Sequence, residues 1–260
     1  MLTPERIESL ANYLDGARLA ARESARLTAE VPELSLEDAY RIQHAGIERR
    51  IARGERITGY KMGLTSKAKR EQMNLHSPIY GVLTDRMQVA DKGSFQPGLG
   101  IHPKIEPEIA FVIGAPLRGT VTREQVRKAC SGVGAALEIL DSRYIGFKYF
   151  SLPDVIADNS SSSHYIVSSQ LFSAEVDVGN LAMAMAINGA VVQSASSAEI
   201  SGHPLDSVVQ LCAMLAEHGK GLEPGHVVLC GAATLAEQLS AGLDISLEVA
   251  TLGRVSVQTI

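Results

Sequence analysis

Aromatic side chains are scarce in this sequence, which has no tryptophan and in which Phe, Trp and Tyr make up 5% of 260 residues. The core is therefore expected to consist mainly of aliphatic side chains. Cysteine is scarce too, and Cys130, Cys212 and Cys230 are odd in number and widely spaced among apolar neighbours. This pattern argues against a disulfide framework or a cysteine metal cluster and predicts three small core residues.

Long apolar runs and an excess of positive charge are also missing. No stretch is long enough to span a bilayer, and the first residues carry acidic groups where a secretory signal would need an apolar core. The formal net charge of -5 provides no global attraction to nucleic acid or to an anionic membrane. We therefore expect a cytoplasmic protein that acts on small molecules, with no nucleic-acid or membrane partner.

Several common catalytic and nucleotide-binding motifs are absent from the sequence. It has no Gly-x-Gly-x-x-Gly fingerprint between a strand and a helix, no P-loop and no Gly-x-Ser-x-Gly elbow. No pair of histidines has the spacing of a zinc site. Dinucleotide binding, P-loop phosphate binding and hydrolysis by an elbow serine therefore lose support.

Helical patterns are present at the start of the chain and at two later places. An amphipathic opening segment is followed by a capping-box-like start at Ser35, and the pattern stops at Gly54. Thr122 begins another capping box, and Pro204 occupies the first turn of a further helix. The sequence therefore predicts a helical N-terminal segment and two helices inside the remainder.

The remainder of the chain has the pattern of a strand-rich protein. Short apolar runs alternate with Gly, Pro and Ser, which is typical of strands in a mixed or antiparallel sheet. The order of elements is not a regular alternation of strand and helix, so an α+β fold is preferred over a doubly wound sheet. We predict one domain over residues 1–260, with a helical segment at 1–54 and a strand-rich core at 55–260.

Three glutamates lie in stretches that otherwise look like buried strands. In HPKIEPEIAF, Glu106 and Glu108 point to the same side of a strand with a two-residue period, and Glu138 interrupts the apolar run AALEILD. Burying an unpaired carboxylate is costly, and neighbouring carboxylates repel one another. The three could together hold a hard divalent cation, because Mg²⁺ and Mn²⁺ prefer oxygen ligands.

Simpler interpretations stay open for these carboxylates. Glu106 and Glu108 could lie on an edge strand that faces water, because a Glu-x-Glu pattern is a weak motif. Glu138 could then form an ion pair with a cation such as Lys104 or Arg143. The spacing of the residues does not decide between this arrangement and a metal site.

Other polar residues have equally open interpretations. Lys61 interrupts an apolar run and is either a buried, functional lysine or an ordinary surface one. His102 and Lys104 precede the two glutamates and could point toward the same site or cover its outer edge. The polar run Ser160–Ser163 could be a solvated loop.

A set of short motifs carries a resemblance that extends over nearly the whole chain. KMGLTS, PIYG, HPKIEPEIAF, EILDSRY, VIADNSSS and GHPL occur in this order. Together they resemble the family of 4-oxalocrotonate decarboxylases and 2-hydroxypenta-2,4-dienoate hydratases, within the fumarylacetoacetate-hydrolase-like superfamily. The resemblance implies a mixed β-roll fold. It also makes Glu106, Glu108 and Glu138 the ligands of Mg²⁺ or Mn²⁺, which disfavours the edge-strand interpretation.

The resemblance further implies a chemistry and a set of contact residues. A 2-oxo acid can chelate the metal, and the electron pair left by departing CO₂ flows into the metal-bound oxygen. Lys61 is expected to contact the substrate or its developing enolate and to help with proton transfer. The family motifs imply that the substrate-binding residues are Lys61, Leu64, His102, Lys104, Arg143, Asp158 and Ser161.

Details of the motifs favour the decarboxylase over the hydratase. Ile79 stands in PIYG where the hydratases tend to have an acid that could handle a water proton. Cations in His102–Lys104 and in Asp141–Tyr144, followed by Lys148, suit a substrate with two carboxylates. We therefore expect decarboxylation of 2-oxohex-3-enedioate to 2-hydroxypenta-2,4-dienoate in the meta-cleavage degradation of aromatic compounds. The alternatives are a hydratase and a weakly active partner subunit of that hydratase.

Two further expectations concern assembly and substrate detail. We expect a homo-oligomer, and a complex with the sister hydratase, because the unstable dienol product of the decarboxylase is the substrate of the hydratase. Late in the chain, Cys230-Gly231-Ala232-Ala233-Thr234 stands where the family commonly has Thr-Gly-x-x-Thr. This departure removes one hydroxyl that could orient the substrate, and it affects substrate detail more than fold or metal binding.

Overall fold

Three helices form the N-terminal segment of the computed structural model, which describes residues 1–65, 77–147 and 151–260. The Ser35 hydroxyl caps the third helix by accepting from the backbone N–H of Asp38, and Gly54 follows the end of that helix with a φ of +90°. The predicted helix start and stop are thus confirmed. The helices are α1 Pro4–Leu19, α2 Leu27–Glu30 and α3 Leu36–Ala52.

Three more α-helices of the described residues lie among the strands. The capping box at Thr122 is confirmed, since its hydroxyl accepts from Gln125 N and the Gln125 side chain accepts from Thr122 N. Pro204 occupies the first turn of its helix, as predicted. Within the described residues, no helix is long and apolar enough to cross a membrane. These helices are α4 Arg123–Ala129, α5 Leu152–Ala157 and α6 Pro204–Ala216.

The strands of the described residues form two mixed sheets. The larger sheet has the strand order β2-β1-β9-β4-β5-β6, with β10 also paired to β4, and the smaller has the order β3-β12-β11-β7-β8. The strands are β1 Ile57–Gly63, β2 Ile79–Thr84, β3 Gly93–Phe95, β4 Lys104–Ile113, β5 Cys130–Leu140, β6 Ser162–Val167, β7 Ala182–Ile187, β8 Ala190–Ser196, β9 Val227–Leu229, β10 Glu237–Gln238, β11 Asp244–Val249 and β12 Gly253–Thr259.

The pairing of these strands confirms the predicted α+β class. β1 with β9 and β3 with β12 are parallel pairs, whereas the long central pair of β4 and β5 is antiparallel. The apolar runs of the sequence correspond to most of the strands. β8 was not predicted because Val191 and Val192 are exposed and its other residues are small or polar, so its pattern shows no buried face.

The core is mostly aliphatic, as the composition predicts, and it has two main parts. The larger part joins the two sheets and α6. The second joins α1 and α3 of the N-terminal segment to α5 and to Ile79 and Tyr144. The three cysteines are free thiols; Cys212 and Cys230 are buried and Cys130 is partly buried. The N-terminal helices therefore share apolar contacts with the part of the chain that carries the candidate site.

Candidate metal centre

The register of β4 and β5 brings the three predicted glutamates together. Glu106 on β4 lies directly opposite Glu138 on β5, and Glu108 follows two residues later on the same face of β4. One carboxylate oxygen from each residue lies within 4.8 Å of the others. β4 is an inner strand, paired on one side to β5 and on the other to β9 and β10, so the edge-strand interpretation is wrong.

Glu108 carries the strongest indication that this cluster holds a cation. Its side chain is 0% exposed, and Oε2 accepts a hydrogen bond of 2.7 Å from the backbone N–H of Gly231. Its Oε1 is buried without a hydrogen-bond partner among the residues that the structure describes. Burial raises the pKa of Glu108 well above its usual value, and repulsion from Glu138 and Glu106 adds to the shift. A set of three carboxylates with a bare buried oxygen fits a hard divalent cation.

Lys61 is buried beside the cluster, so the surface-lysine interpretation is wrong. It lies on β1 with 3% of its surface exposed, and its Nζ is 3.1 Å from Glu138 Oε2. Burial lowers the pKa of Lys61, but the attraction of Glu138, Glu106 and Glu108 outweighs burial and leaves the pKa above its usual value. The ammonium group therefore stays charged and is the cation with which Glu138 pairs. The alternative partners Lys104 and Arg143 do not take this place.

A glycine leaves the space that the Lys61 side chain uses. Gly81 lies opposite Lys61 in the pairing of β1 with β2. A Cβ atom at Gly81 would lie 2.7 Å from the carbonyl oxygen of Asn159 and 3.3 Å from Lys61 Cγ. Any larger residue would therefore push against both the lysine and the neighbouring backbone. The glycine of the PIYG motif has a packing role at the site.

The polar run after Asp158 is buried, so the solvated-loop interpretation is wrong. Ser160 and Ser161 are 3% and 1% exposed, and Ser162 is fully buried at the start of β6. The Ser162 hydroxyl donates to Glu138 Oε1 at 3.1 Å. Sequence reasoning chose Ser161 and missed Ser162, because the choice between neighbouring serines depends on a register that the pattern does not contain.

The segment after β9 fits closely against the cluster, at the place where the family pattern is broken. The gap along β4 between β9 and β10 is filled by residues 230–233, whose backbone bonds to Ile109 and Pro107. Gly231 has a φ of +105°, and a Cβ there would lie 2.4 Å from the Thr65 hydroxyl. Glycine is therefore required at this position, where the backbone N–H reaches Glu108.

Arg143 and Asp158, two of the predicted substrate contacts, bind each other. The Arg143 guanidinium forms an ion pair with Asp158, and Arg143 N donates to Asp158 Oδ2 at 3.0 Å. Both side chains are buried, and burial raises the pKa of Asp158 to about 6 although Arg143 opposes the shift. The pair holds the segment after β5 against the turn that precedes β6. Its contact with substrate stays a prediction.

His102 and Lys104 lie with Phe147, near the end of one described segment. Lys104 Nζ is 4.3 Å from the centre of the Phe147 ring, and the His102 ring is parallel to that ring. His102 Nε2 also lies 2.8 Å from a carboxylate oxygen of Glu23 in the N-terminal segment. Lys104 shares the β4 face of the two glutamates, since it is two residues before Glu106. Lys148 falls outside the described residues.

Leu64, the remaining predicted contact residue, lies directly after β1. Its φ of +55° is unusual for a leucine, and it packs against the apolar cluster that includes the N-terminal helices. Strained backbone of this kind often occurs at binding sites. The predicted substrate contact of Leu64 stays a prediction.

Comparisons with known proteins identify the family of the chain. Residues 64–259 match the model of the fumarylacetoacetate (FAA) hydrolase C-terminal family. A 4-oxalocrotonate decarboxylase from a Pseudomonas species is 41% identical over 254 residues, covering 98% of each chain. A 2-hydroxyhexa-2,4-dienoate hydratase from Comamonas testosteroni is 35% identical and covers 97% of each chain.

A solved structure matches the fold closely. The 4-oxalocrotonate decarboxylase from Pseudomonas putida G7, complexed with magnesium and adipate, superposes with a TM-score of 0.96 at 39% identity, covering 100% of this chain and 99% of that one. The match includes the N-terminal helices, which lie outside the family model. The protein therefore belongs to the fumarylacetoacetate hydrolase family, among relatives that include 4-oxalocrotonate decarboxylases and hydratases.

Proposed function

We propose that this protein is a divalent-metal-dependent carboxy-lyase that converts 2-oxohex-3-enedioate (4-oxalocrotonate) to 2-hydroxypenta-2,4-dienoate and CO₂. The observation that carries the proposal is the cluster of Glu106, Glu108 and Glu138 beside the buried ammonium of Lys61. Full-length similarity to 4-oxalocrotonate decarboxylases, at higher identity than to the hydratases, supports this reaction over hydration.

The substrate class is supported by the charges along β4. Lys104 lies two residues from Glu106 on the same strand face, a step of roughly 7 Å. A six-carbon dicarboxylate is long enough to place one end at the carboxylate cluster and the other near Lys104 and His102. The matched decarboxylase structure contains adipate, which is a six-carbon dicarboxylate. We propose that Lys104 and His102 attract the carboxylate that is lost as CO₂.

The cation that we propose is Mg²⁺ or Mn²⁺, held by Glu106, Glu108 and Glu138. When bound, it supplies positive charge that stabilises the negative charge developing on the substrate during decarboxylation. The three carboxylates bring a formal charge of -3, which Lys61 reduces by one. A divalent cation would therefore neutralise the remaining charge. This balance is consistent with the bare Oε1 of Glu108.

Lys61 is proposed to deliver the proton that the product needs. The bond between C5 and the departing carboxyl group breaks, and its electrons move through the C3=C4 double bond toward the C2 oxygen. That oxygen takes up one proton to give the 2-hydroxy group of the dienol. Because the pKa of Lys61 is raised, its Nζ carries a proton at neutral pH and can donate a hydrogen bond to that oxygen as negative charge develops there.

The test is an assay of purified full-length protein with 2-oxohex-3-enedioate and Mg²⁺ or Mn²⁺, following both CO₂ release and substrate absorbance. We expect metal-dependent CO₂ release that is lost with EDTA and in Glu106→Gln. Glu124→Gln on α4 is the matched control, because Glu124 is exposed and forms ion pairs with its helix neighbours Arg127 and Lys128.

A parallel assay with 2-hydroxypenta-2,4-dienoate and water distinguishes the alternatives. Consumption of this dienol without CO₂ release from 2-oxohex-3-enedioate would make the protein a hydratase. No turnover in either assay would favour the interpretation as a weakly active partner subunit of the hydratase. The proposed homo-oligomer and the complex with a sister hydratase are tested separately, by light scattering of the protein alone and mixed with that enzyme.

We further propose a cytoplasmic location.

A further inference from the structure

The turn Asn159–Ser161 has an unusual backbone for three consecutive residues that are not glycine. Their φ values are 50°, 54° and 56°, all in the left-handed region. Conformations of this kind cost on the order of 1 kcal/mol or more each and persist only where surrounding contacts fix them. All three residues are at least nine-tenths buried, the most exposed being Asn159 at 6%. The turn is therefore held by the protein interior.

The contacts that hold the turn come from β2 and from the end of β5. The Asn159 side chain accepts from Val82 N at 2.8 Å and donates to Val82 O at 2.9 Å, as a backbone strand would. The Ser160 hydroxyl donates to Tyr80 O at 2.8 Å, and Asp141 N donates to Ser161 O at 2.8 Å. These bonds fix the direction in which the chain enters β6.

The next residue, Ser162, is aimed at the carboxylate cluster. The pairing of β5 with β6 shifts register between Ile139 and Leu140. As a result Ser162 lies opposite Leu140, whereas an unshifted register would place it opposite Asp141. Irregularities of this kind redirect side chains, often next to active sites. The redirected hydroxyl donates to Glu138 Oε1 at 3.1 Å, while Lys61 Nζ lies 3.1 Å from Oε2 of the same carboxylate.

We propose that Ser162 is a positioning residue that orients the Glu138 carboxylate for the divalent cation, and that the left-handed turn serves to deliver its hydroxyl. This inference rests on the proposed metal site. Hydrogen-bond donors on both oxygens already fix the plane of the Glu138 carboxylate in the metal-free protein. The side chain therefore loses less conformational entropy when a cation binds. Ligands with such supporting hydrogen bonds typically lose about 10–100-fold in metal affinity when the support is removed.

The experiment compares metal affinity in two variants of nearly equal size, Ser162→Thr and Ser162→Val, in the full-length protein. The threonine keeps the hydroxyl and the valine replaces it by a methyl group, so both crowd the buried position alike. We expect Mn²⁺, followed by electron paramagnetic resonance in the absence of substrate, to bind Ser162→Val about 10–100-fold more weakly than Ser162→Thr. Saturating metal should restore most of the turnover of Ser162→Val.

Ser163→Ala is the matched neighbour control. The Ser163 hydroxyl contacts His164 Nδ1 at 2.8 Å, so this change removes a hydroxyl from the same strand without removing a bond to Glu138. We expect the wild-type Mn²⁺ affinity. Equal affinities in Ser162→Thr and Ser162→Val would overturn the inference while leaving the proposed function intact, provided that Glu108→Gln loses the metal. Absence of Mn²⁺ binding by the wild-type protein would overturn both.

Discussion

At the residue scale, the electrostatics of the cluster depend most on Glu108. Its side chain is fully buried in a cluster with Glu106 and Glu138, and one of its carboxylate oxygens has no hydrogen-bond partner among the described residues. In metal-free protein this arrangement opposes folding, because burial removes the Glu108 carboxyl group from water and its ionised form is repelled by Glu138 and Glu106. The residue that is most useful to a bound cation is thus a source of instability without it.

Glu108→Gln should separate these two effects. Replacing the carboxyl group by an amide removes the cost of burying an ionisable group beside two carboxylates, and should stabilise the metal-free protein by on the order of 1 kcal/mol, or about 2–4 °C in melting temperature. The gain in unfolding free energy on adding Mg²⁺, about 2.7 kcal/mol for wild type at a hundred times the dissociation constant, should disappear together with the rise in melting temperature that it causes. Thermal melts with and without metal provide the measurement. A variant that still gains stability from Mg²⁺ would contradict the assignment of Glu108 as a ligand.

Lys61→Met tests the other charged residue of the site. We expect turnover to fall by at least ~100-fold even at saturating metal, because the donor for the C2 oxygen is removed. Steady-state kinetics combined with a metal titration provide the measurement. Lys128→Met, which changes an exposed lysine on α4, serves as the control. Near-normal turnover in Lys61→Met would reject its proposed role.

The sequence predicts the identity of these residues better than their contacts. Glu106, Glu108, Glu138 and Lys61 were selected because each interrupts an apolar run, and burial costs make such residues conspicuous. Ser162 and Gly231 were missed, because one is a small polar residue in a serine run and the other acts through its backbone N–H. Neither kind of contact leaves a pattern in sequence.

At the element scale, α3 connects the N-terminal segment to the site through buried side chains. Gln43 donates to the carbonyl oxygens of Tyr80 and Ile156 at 3.0 and 3.1 Å, and His44 Nε2 lies 3.1 Å from the Tyr80 hydroxyl. Tyr80 O also accepts from Ser160 in the left-handed turn. Movement of α3 would therefore disturb the strand that supports this turn.

His44 makes the docking of α3 sensitive to acid. Burial lowers the pKa of His44 from 6.5 to about 4, and repulsion from Lys220 and His218 adds to the shift. Because the unfolded chain binds this proton at higher pH than the folded protein does, stability is present above pH 6.5 and is lost as the pH falls toward 4. The expected contribution at this partly exposed ring is on the order of 1–2 kcal/mol.

Chemical denaturation at several pH values checks this prediction. His44→Gln should flatten the decline in unfolding free energy between pH 6.5 and 4 relative to wild type. Arg49→Gln, on the same helix but partly exposed and paired with Glu8, should keep the wild-type slope. Asp158, whose raised pKa gives a slope of opposite sign, is present in all three proteins and cancels in the comparison. An unchanged slope in His44→Gln would contradict the assignment.

Helices and strands whose apolar residues repeat with a clear period could be predicted from the sequence, whereas elements without such a repeat could not. α3 and α6 have capping residues and apolar stripes, and β4 and β5 have long apolar runs. β3 and β10 are only 3 and 2 residues long, so they are too short to show a period. The register of β4 against β5, which creates the cluster, is set by tertiary packing and is invisible in either strand alone.

At the scale of the whole molecule, the N-terminal helices and the strand-rich core share one apolar cluster. Leu10 and Leu14 of α1 and Ile42 of α3 belong to the same buried group as Val155 and Ile156 of α5. Separating the two parts would expose these side chains to water, at a cost of roughly 25 cal/mol for each Å² of apolar surface. We therefore propose that residues 1–260 unfold as one unit.

Thermal unfolding followed by two probes tests this proposal. Far-ultraviolet circular dichroism reports on the helices and the sheets together, whereas near-ultraviolet signals report on the tertiary packing of the aromatic side chains, among them the buried Tyr60 and Tyr80. We expect coincident transitions with a single midpoint. Ser35→Ala, which removes the cap of α3, should lower that midpoint for both probes by the same amount, at a cost of about 1 kcal/mol. Two separated transitions would indicate independent domains.

The burial of Cys230 gives the protein a built-in chemical reporter. This thiol is 0% exposed and directly precedes Gly231, whose backbone N–H holds Glu108. An alkylating reagent can reach it only when the end of β9 opens, so the labelling rate measures that local opening without any introduced label. A ligand that tightens the carboxylate cluster should slow labelling of Cys230 more than labelling of Cys212 on α6, which serves as an internal reference.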